Sequence, residues 1–292
     1  MQFDECFSFV SAQATDVGCR REINEDSYLS RPDCGLWVVA DGMGGHAAGD
    51  FASQSIVQEL NSVGMAGSAE DLEARFQERL LRANSQILDH AQSLGRGTIG
   101  ATLVALLTHG DQYTCIWSGD SRIYLLREGR LIRCTHDHTE LQALLDAGSI
   151  TPEDAKNWPR RNVITRAIGV APVPQTERVE GTLMLNDRFL LCSDGLTEHL
   201  DDLEIAQIVS MGSPRDACQE LIGETLARGA RDNVTVLTVD VEPAPPLEDP
   251  EFPVRTDSDV AQKDQDRKAS VGAGTQGTDS THGAPNQDGT LR

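Results

Sequence analysis

Positive charge is scarce in this sequence of 292 residues, which has 25 Lys and Arg residues against 46 Asp and Glu. The formal net charge is therefore −21 at neutral pH. A chain this acidic repels the phosphates of nucleic acids and the headgroups of anionic membranes. We expect neither nucleic acid nor a membrane as a partner.

Long apolar runs and export signals are also missing. The longest apolar run, near "IGATLVALL", is about half as long as a helix that crosses a bilayer. The stretch "MQFDECFSFV" has no basic region ahead of an apolar one, which a secretory signal would have. The sequence therefore predicts a soluble protein that is not exported.

Cysteine pairs with the spacing CxxC are absent. The seven cysteines lie at positions 6, 19, 34, 115, 134, 192 and 218, mostly within apolar stretches. An odd number of cysteines without a pairing motif is typical of reduced thiols in a protein core. Together with the missing export signal, this pattern predicts a cytoplasmic location.

The composition changes near Glu242. From Pro243 onward the sequence is rich in Pro, Gly, Ser, Thr, Asp and Gln and has few large apolar residues. Residues 243–292 are therefore expected to form a disordered tail. This tail has nine acidic and five basic residues, so the remaining −17 of the net charge belongs to residues 1–242, which we expect to form the folded domain.

Strand-like and helix-like patterns alternate within residues 1–242. The segments with a strand pattern are "CFSFVSAQA", "LWVVA", "ATLVALL", "YTCIWSG", "RIYLLREGRLIRCT", "RFLLCS" and "NVTVLTVDV". Several are apolar on both faces, so they should be covered on both sides. The "REGR" turn inside the fifth segment predicts an antiparallel hairpin.

Helical spacing follows the early strands and returns late in the chain. The apolar stripes are Ala52, Ile56, Leu60 and Val63, then Leu72, Phe76, Leu80, Ile87, Ala91 and Leu94. Two more helices are expected near residues 201–210 and 214–228, the second with Ser213 as its N-cap. This order predicts an α+β fold in which stacked antiparallel sheets have helices outside.

A charged segment at about residues 139–165 interrupts the strand pattern. It contains a helix, a glycine turn and a second capped helix start at residues 151–154. Two interpretations stay open, which are a helical flap over a site and ordinary surface structure.

Four aspartates stand where apolar strands end or begin. Asp41, Asp120 and Asp194 each follow a strand-like segment, and Asp232 comes just before one. A single Asp-Gly dipeptide is an ordinary turn signal. Four carboxylates at one end of a sheet would repel each other unless a cation neutralised them, and oxygen ligands suit Mg²⁺ or Mn²⁺. The scarcity of His nearby argues against zinc.

Opposite charges lie close together in "DVGCRREINEDSY". Arg21 comes four residues before Glu25 and five before Asp26. One interpretation is a surface salt bridge, which is common and weak. In the other, Glu25 joins the acidic cluster and Arg21 binds a phosphate through its forked donors.

A series of short motifs resembles one known family. In order along the chain they are "GCRREINED", "DGMGG", "TIGATL", "GDSRIY", "THDHT", "ITRAIG", "CSDGL" and "RDNVTV". Their order and spacing resemble those of the metal-dependent Ser/Thr protein phosphatases of the 2C type, over about residues 8–241. The resemblance implies a four-layer αββα sandwich of two five-stranded antiparallel sheets flanked by pairs of helices, with a small helical flap.

The resemblance also implies a binuclear Mn²⁺ or Mg²⁺ centre at one end of the sheets. Asp41 resembles the carboxylate that bridges both ions. Glu25 and the carbonyl of Gly42 complete the shell of one ion, and Asp194 with Asp232 holds the other.

Three further residues match functional positions of the family. Asp120 resembles the ligand of a third metal found in bacterial members. Arg21 matches the phosphate-binding arginine, and Asp26 matches the acid that positions the attacking water.

The implied reaction is direct hydrolysis of phosphoserine and phosphothreonine by a metal-activated water. No cysteine is followed by Arg with the spacing CxxxxxR, which disfavours thiol chemistry. Met43 stands where animal members have a His that acts as general acid, so the general acid is unassigned. Methionine at this position resembles the bacterial form.

The sequence therefore predicts that residues 1–242 form a catalytic domain that dephosphorylates phosphoproteins. We expect the protein to be a monomer and to oppose a cytoplasmic Ser/Thr kinase. One alternative is a phosphatase of the same fold in a sigma-factor partner-switch. Another is a noncatalytic phosphoprotein-binding module, which the matching metal-ligand positions disfavour.

Overall fold

The computed structural model describes residues 7–44, 48–95, 98–155 and 158–244. The strands in chain order are β1 (Phe7–Asp16), β2 (Asp26–Arg31), β3 (Leu36–Met43), β4 (Gly100–Ala101), β5 (Leu103–His109), β6 (Gln112–Ser118), β7 (Arg122–Arg127), β8 (Arg130–Arg133), β9 (Glu177–Thr182), β10 (Arg188–Cys192) and β11 (Val234–Pro243). The helices are α1 (Ala48–Asn61), α2 (Ala69–Leu94), α3 (Glu140–Asp146), α4 (Pro152–Ala155), α5 (Asp194–Thr197), α6 (Asp202–Val209) and α7 (Pro214–Ala227).

The strands form two antiparallel sheets. One has the order β1-β11-β10-β7-β8 and the other β2-β3-β5-β6-β9, with the two-residue β4 paired against the end of β3. Counting β4, the second sheet has six strands where the family resemblance implied five. The "REGR" turn joins β7 to β8 as predicted, with Arg127 opposite Arg130. The predicted α+β sandwich is confirmed.

Three apolar layers hold the sheets and helices together. Along β3, Leu36 and Val38 pack with α1 and α2, whereas Trp37 and Val39 lie between the two sheets. This division follows from the period of two in a strand, which sends neighbouring side chains to opposite faces. A third layer lies between the first sheet and α6 and α7. Both sheets are therefore covered on both faces at their centre, which explains why central strands such as β3, β5 and β10 are almost continuously apolar.

Local capping signals decide where the helices begin. The Ser213 side chain accepts the N–H of Asp216, and the Asp216 carboxylate accepts the N–H of Ser213, which is the predicted start of α7. Replacing such a cap with Ala costs about 1 kcal/mol. The helix α2 begins at Ser68, whose side chain accepts the Asp71 N–H, and ends at Gly95 in the left-handed conformation.

The charged insertion is a short helical excursion whose two ends lie side by side. Thr139 caps α3 and bridges Ile164, and the Thr165 N–H donates to the His138 carbonyl at 2.8 Å. The helices α3 and α4 lie between these ends. The segment therefore leaves and rejoins the sandwich at one point, next to the turn that carries Asp120.

Three elements differ from the sequence-based expectation. The strand β9 is exposed and charged, and β2 is largely polar, so neither has the apolar alternation that predicts a strand. Asp194 begins the short helix α5, where its Asp-Gly dipeptide alone indicated a turn.

The end of the domain lies close to the change in composition. The strand β11 extends to Pro243, one residue past the predicted boundary. Residues 245–292 lie outside the described residues, so the disordered tail stays a prediction. In the part of the chain that the structure describes, no helix is both long and apolar enough to cross a membrane.

Candidate functional site

Asp26 and Asp41 face each other across two neighbouring strands. They are Cα partners in the antiparallel ladder of β2 and β3, so their side chains share one face of the sheet. The Ser193 hydroxyl donates to Asp26 Oδ2 at 2.8 Å. The buried Asp26 Oδ1 has no hydrogen-bond partner among the described residues. Two carboxylates opposed in this way repel each other unless a positive charge lies between them.

Glycine brings the end of β3 against the start of α1. A Cβ atom on Gly42 would lie 2.0 Å from the carbonyl oxygen of Gly49, so no other residue fits. The Gly49 N–H donates to Glu25 Oε1 at 3.2 Å, and the Gly42 N–H donates to the Glu25 carbonyl at 3.1 Å. These contacts set the backbone of Gly42 beside the side chain of Glu25.

Asp194 and Asp120 reach the same end of the sandwich, Asp194 from the first sheet and Asp120 from a turn that joins the two sheets. Asp194 follows β10, and Asp120 lies in the turn between β6 and β7. Each has a buried Oδ1 without a hydrogen-bond partner in the described ranges. His138 holds the turn of Asp120, because its backbone N–H donates to the Gly119 carbonyl and its Nδ1 accepts the Gly119 N–H. His138, in the "THDHT" motif, therefore has a structural role.

Arg21 pairs with Asp232, and not with the nearby acids of its own motif. The Arg21 Nη2 lies 2.6 Å from Asp232 Oδ2, and this pair spans 211 positions of the chain. The surface salt bridge to Glu25 or Asp26 that the sequence spacing suggested is therefore wrong. The long-range partner could not be found from local spacing.

Two buried residues in the quoted motifs position the site and were not singled out from the sequence. Asn233 Oδ1 accepts the N–H of Glu25 at 2.8 Å, and its Nδ2 donates to the carbonyls of Val17 and Ile23. Asn233 thereby ties down both ends of the loop that carries Arg21. Ser193 similarly links Asp26 to β11, because its hydroxyl also accepts the Thr235 N–H.

Burial and mutual repulsion raise the pKa values of the clustered carboxyl groups. Burial first, then Asp26 and Asp194, raises the pKa of Asp41 well above its usual range. Burial raises the pKa of Asp26 to about 6, although hydrogen bonds from Thr235 and Ser193 oppose the shift.

The carboxyl groups around Asp41 shift in the same direction. Burial, followed by the charge of Asp137, raises the pKa of Asp120 to about 7. Burial and the charge of Asp120 raise the pKa of Asp194. The pKa of Glu25 is also raised by burial, against the Gly49 N–H and Arg21, which lower it. The protein therefore destabilises this group of negative charges, as expected of a site that a cation completes.

A family comparison decides what kind of site this is. The family model described as protein phosphatase 2C matches residues 20–227. The chain belongs to the protein phosphatase 2C family.

Named relatives and solved structures agree with this membership. PstP of Mycobacterium tuberculosis, a serine/threonine protein phosphatase, is 37% identical over 236 residues, which are 79% of this chain and 44% of PstP. The chain thus spans less than half the length of that relative. The structure of PppA, a key regulatory component of T6SS in Pseudomonas aeruginosa, is 40% identical with a TM-score of 0.75 and covers 80% of this chain and 98% of that one. The catalytic domain of PstP in complex with two manganese ions is 35% identical with a TM-score of 0.74, over 81% and 100% of the two chains.

The residues that match the protein phosphatase 2C motifs come together in space. The predicted positions are Arg21, Glu25, Asp26, Asp41, Gly42, Asp120, Asp194 and Asp232, and the structure places all of them at one end of the two sheets. Within the described ranges, no three His, Cys, Asp or Glu side chains are arranged to hold a metal ion as they stand. One reason is that the Asp232 carboxylate is turned onto Arg21.

The donor chemistry nevertheless fits a hard divalent cation. The clustered groups offer carboxylate and carbonyl oxygens, which Mg²⁺ and Mn²⁺ prefer. Buried Oδ1 atoms of Asp26, Asp120 and Asp194 have no partner among the described residues, and leaving such atoms unpaired is costly. A bound cation would satisfy these oxygens.

The flap lies beside this centre. A cavity of about 270 Å³ separates them, and its lining includes Asp120 and Asp194 on one side and Leu141 and Arg161 of the flap on the other. The Asn162 amide donates to the carboxylate of Glu198, which follows α5. Of the two interpretations of residues 139–165, the position favours a flap over the site.

Proposed function

We propose that this chain hydrolyses phosphoserine and phosphothreonine in proteins at a centre of two Mn²⁺ or Mg²⁺ ions. The observation that carries the proposal is the cluster of buried, partnerless carboxylate oxygens at one end of a protein phosphatase 2C fold. Bound ions would supply a nucleophilic water at neutral pH and neutralise charge on the phosphoryl group.

The candidate ligands divide between two ions. Glu25, the Gly42 carbonyl and Asp41 would hold one ion. Asp194 and Asp232 would hold the other, to which Asp41 would also bind. Asp120, on the β6–β7 turn, would hold a third ion.

Arg21 is placed to bind the phosphate. Its side chain is 48% exposed, so it can reach a substrate, and its forked donors suit phosphate oxygens. The hydrogen bond to Asp232 raises the pKa of Arg21, so the guanidinium stays charged. Arg21 donates to Asp232 through Nη2, so its other N–H groups would be available to a substrate.

Asp26 is placed to orient the attacking water. Its Oδ2 is held by Ser193, and its free Oδ1 can accept a proton or a hydrogen bond. Met43, the last residue of β3, cannot donate a proton to the leaving oxygen. We therefore assign no general acid.

We also propose that the protein opposes a cytoplasmic Ser/Thr kinase and acts as a monomer on phosphoproteins, without nucleic acid or a membrane as partner. The net charge of −21 supports the exclusion of anionic partners. Free thiols at the six described cysteines agree with a reducing compartment.

The test is metal-dependent turnover. Protein freed of metal by a chelator should not hydrolyse an aryl phosphate or a phosphothreonine peptide until Mn²⁺ or Mg²⁺ is returned. Chelator already saturated with Mn²⁺ is the control and should not reduce the rate. Full activity in excess free chelator would contradict the proposed mechanism.

A further inference from the structure

Two exposed arginines flank the ion pair at the candidate phosphate site. Arg20 comes immediately before Arg21, and Arg231 comes immediately before Asp232. The Arg21–Asp232 pair, at 2.6 Å, therefore brings both neighbours to the same edge of the site. Consecutive Cα atoms are about 3.8 Å apart, so each arginine starts one residue away from that pair.

Tight backbone packing fixes the two loops against each other. The Cys19 N–H donates to the Ala230 carbonyl at 2.8 Å. A Cβ atom on Gly18 would lie 2.2 Å from the Asp232 carbonyl oxygen, so the loops touch at a glycine with positive φ. With the bonds from Asn233 to both ends of the first loop, this packing holds Arg20 and Arg231 at a set separation.

Neither arginine has a partner for its side chain among the described residues. Among the residues that the structure describes, no ion pair or side-chain hydrogen bond involves the guanidinium of Arg20 or Arg231. Nearby Arg228, by contrast, pairs with Glu204 at 2.8 Å. The domain carries a net charge of −17, so carboxylates are plentiful, and these two cations nevertheless stay free at the rim of the site.

Acidic neighbours lie on the same loop as Arg20. The Asp16 carboxylate accepts the Gly18 N–H at 2.8 Å, and Glu22 is exposed. Arg21 is paired with Asp232, so Arg20 and Arg231 are matched in number by these two acids. The rim is thus close to neutral by this count, on a domain whose net charge is −17.

We propose that Arg20 and Arg231 recognise a second anionic group, a carboxylate or a phosphate, close to the phosphoresidue of the substrate. The proposal rests on the proposed function and names its substrate class, which is phosphosites with acidic or phosphorylated neighbours. Guanidinium groups suit both anions through paired donors. Their attraction also offsets the repulsion between an acidic domain and an acidic substrate.

The experiment compares three phosphothreonine peptides. They differ only at the positions two residues before and two residues after the phosphothreonine, where the first peptide has Ala, the second Glu and the third phosphoserine. With Mn²⁺ present, the wild type should show kcat/KM about 3- to 10-fold higher for the Glu and phosphoserine peptides than for the Ala peptide at low salt. The gain should shrink in 0.5 M salt, at a screening length of roughly 4 Å.

The variant with Arg20→Ala and Arg231→Ala should lose this preference and keep wild-type rates on an aryl phosphate and on the Ala peptide. Glu22→Gln should increase the preference. A matched control, Arg130→Ala with Arg215→Ala, removes two exposed arginines away from the site and should keep the preference.

The outcomes separate the sources and the two proposals. A gain for phosphoserine alone assigns the site to a second phosphate, and a gain for both peptides assigns it to anionic side chains in general. Equal kcat/KM for all peptides, or an unchanged ratio in the Arg20 and Arg231 variant, overturns the inference while the proposed function stands. No turnover of any substrate with metal overturns the proposed function and the inference with it.

Discussion

The two ends of β10 and β11 treat their aspartates in different ways. At one end, Asp187 is bound by Arg127 through two side-chain bonds, and Asp240 is bound by Arg188 in the same way. At the other end, Asp194 follows β10, and its Oδ1 has no hydrogen-bond partner in the described structure. Asp232 precedes β11 and pairs with Arg21, which is also the proposed phosphate-binding residue.

The contrast separates structural acids from functional ones. Buried charges are normally paired, because removing an unpaired carboxylate from water is costly. The Asp187 and Asp240 end meets this requirement within the protein. At the other end, Asp194 Oδ1 has no hydrogen-bond partner among the described residues, and this is where we propose that a cation binds.

The largest expected effect is the loss of activity at the Asp194 end. Asp194→Asn removes a charge at nearly constant volume, so turnover of an aryl phosphate with Mn²⁺ should fall about 10³-fold. The metal-free protein should keep or gain thermal stability, since a repelling carboxylate is gone. Asp89→Asn, on the exposed face of α2, is the control and should match wild type in both measurements. A near-normal rate for Asp194→Asn would remove this residue from the proposed metal shell.

The second effect is a loss of stability at the opposite end. Asp187→Asn weakens a buried, doubly hydrogen-bonded pair with Arg127 and should cost about 3 kcal/mol. Thermal unfolding should then occur roughly 10 °C lower, at about 2–4 °C per kcal/mol for a domain of this size. The rate per folded molecule at 20 °C should stay unchanged. A selective loss of catalysis without a change in Tm would break the contrast between the two ends.

The smallest effect is a pH dependence of the metal-free protein. The raised pKa values of Asp26, about 6, and Asp120, about 7, mean that the folded state holds protons more tightly than the unfolded state. The associated stability is full below about pH 4 and is lost as the pH rises through 6 to 7. The free energy of unfolding, measured with urea, should therefore decrease by about 1–3 kcal/mol between pH 5 and pH 8.

A double variant, Asp26→Asn with Asp120→Asn, should flatten this profile. Adding Mn²⁺ at pH 8 to the wild type should restore stability through binding to the folded state. A metal-free profile that rises from pH 5 to pH 8 would show that the site does not hold unneutralised carboxylates.

Local patterns predicted the parts of the fold whose stability is local or strongly apolar. The β7–β8 hairpin, the two long helices α1 and α2, and the Ser213 cap of α7 each have a signal within a few residues. The strand β9 has none, because it is an exposed edge strand and needs no apolar face. The strand β2 also escaped prediction, because most of its residues are polar and it lacks an apolar alternation.

Local patterns likewise predicted only part of the site. Acidic residues beside apolar strands indicated a cation from chemistry alone, whereas the roles of individual residues came from the family resemblance. The partner of Arg21 lies 211 positions away, and Asn233 and Ser193 act on residues equally remote in sequence. Such contacts exist only once the sheets have assembled, so no local pattern contains them.

The pairing of Asp26 with Asp41 across β2 and β3 makes the site depend on the register of these two strands. A slip of one residue between these strands would send one carboxylate to the opposite face of the sheet. Recovery of metal-dependent turnover during refolding would then report the correct register of this strand pair, on a timescale that can be compared with the return of secondary structure. The proposed metal site therefore forms only when its own sheet has assembled in the native register.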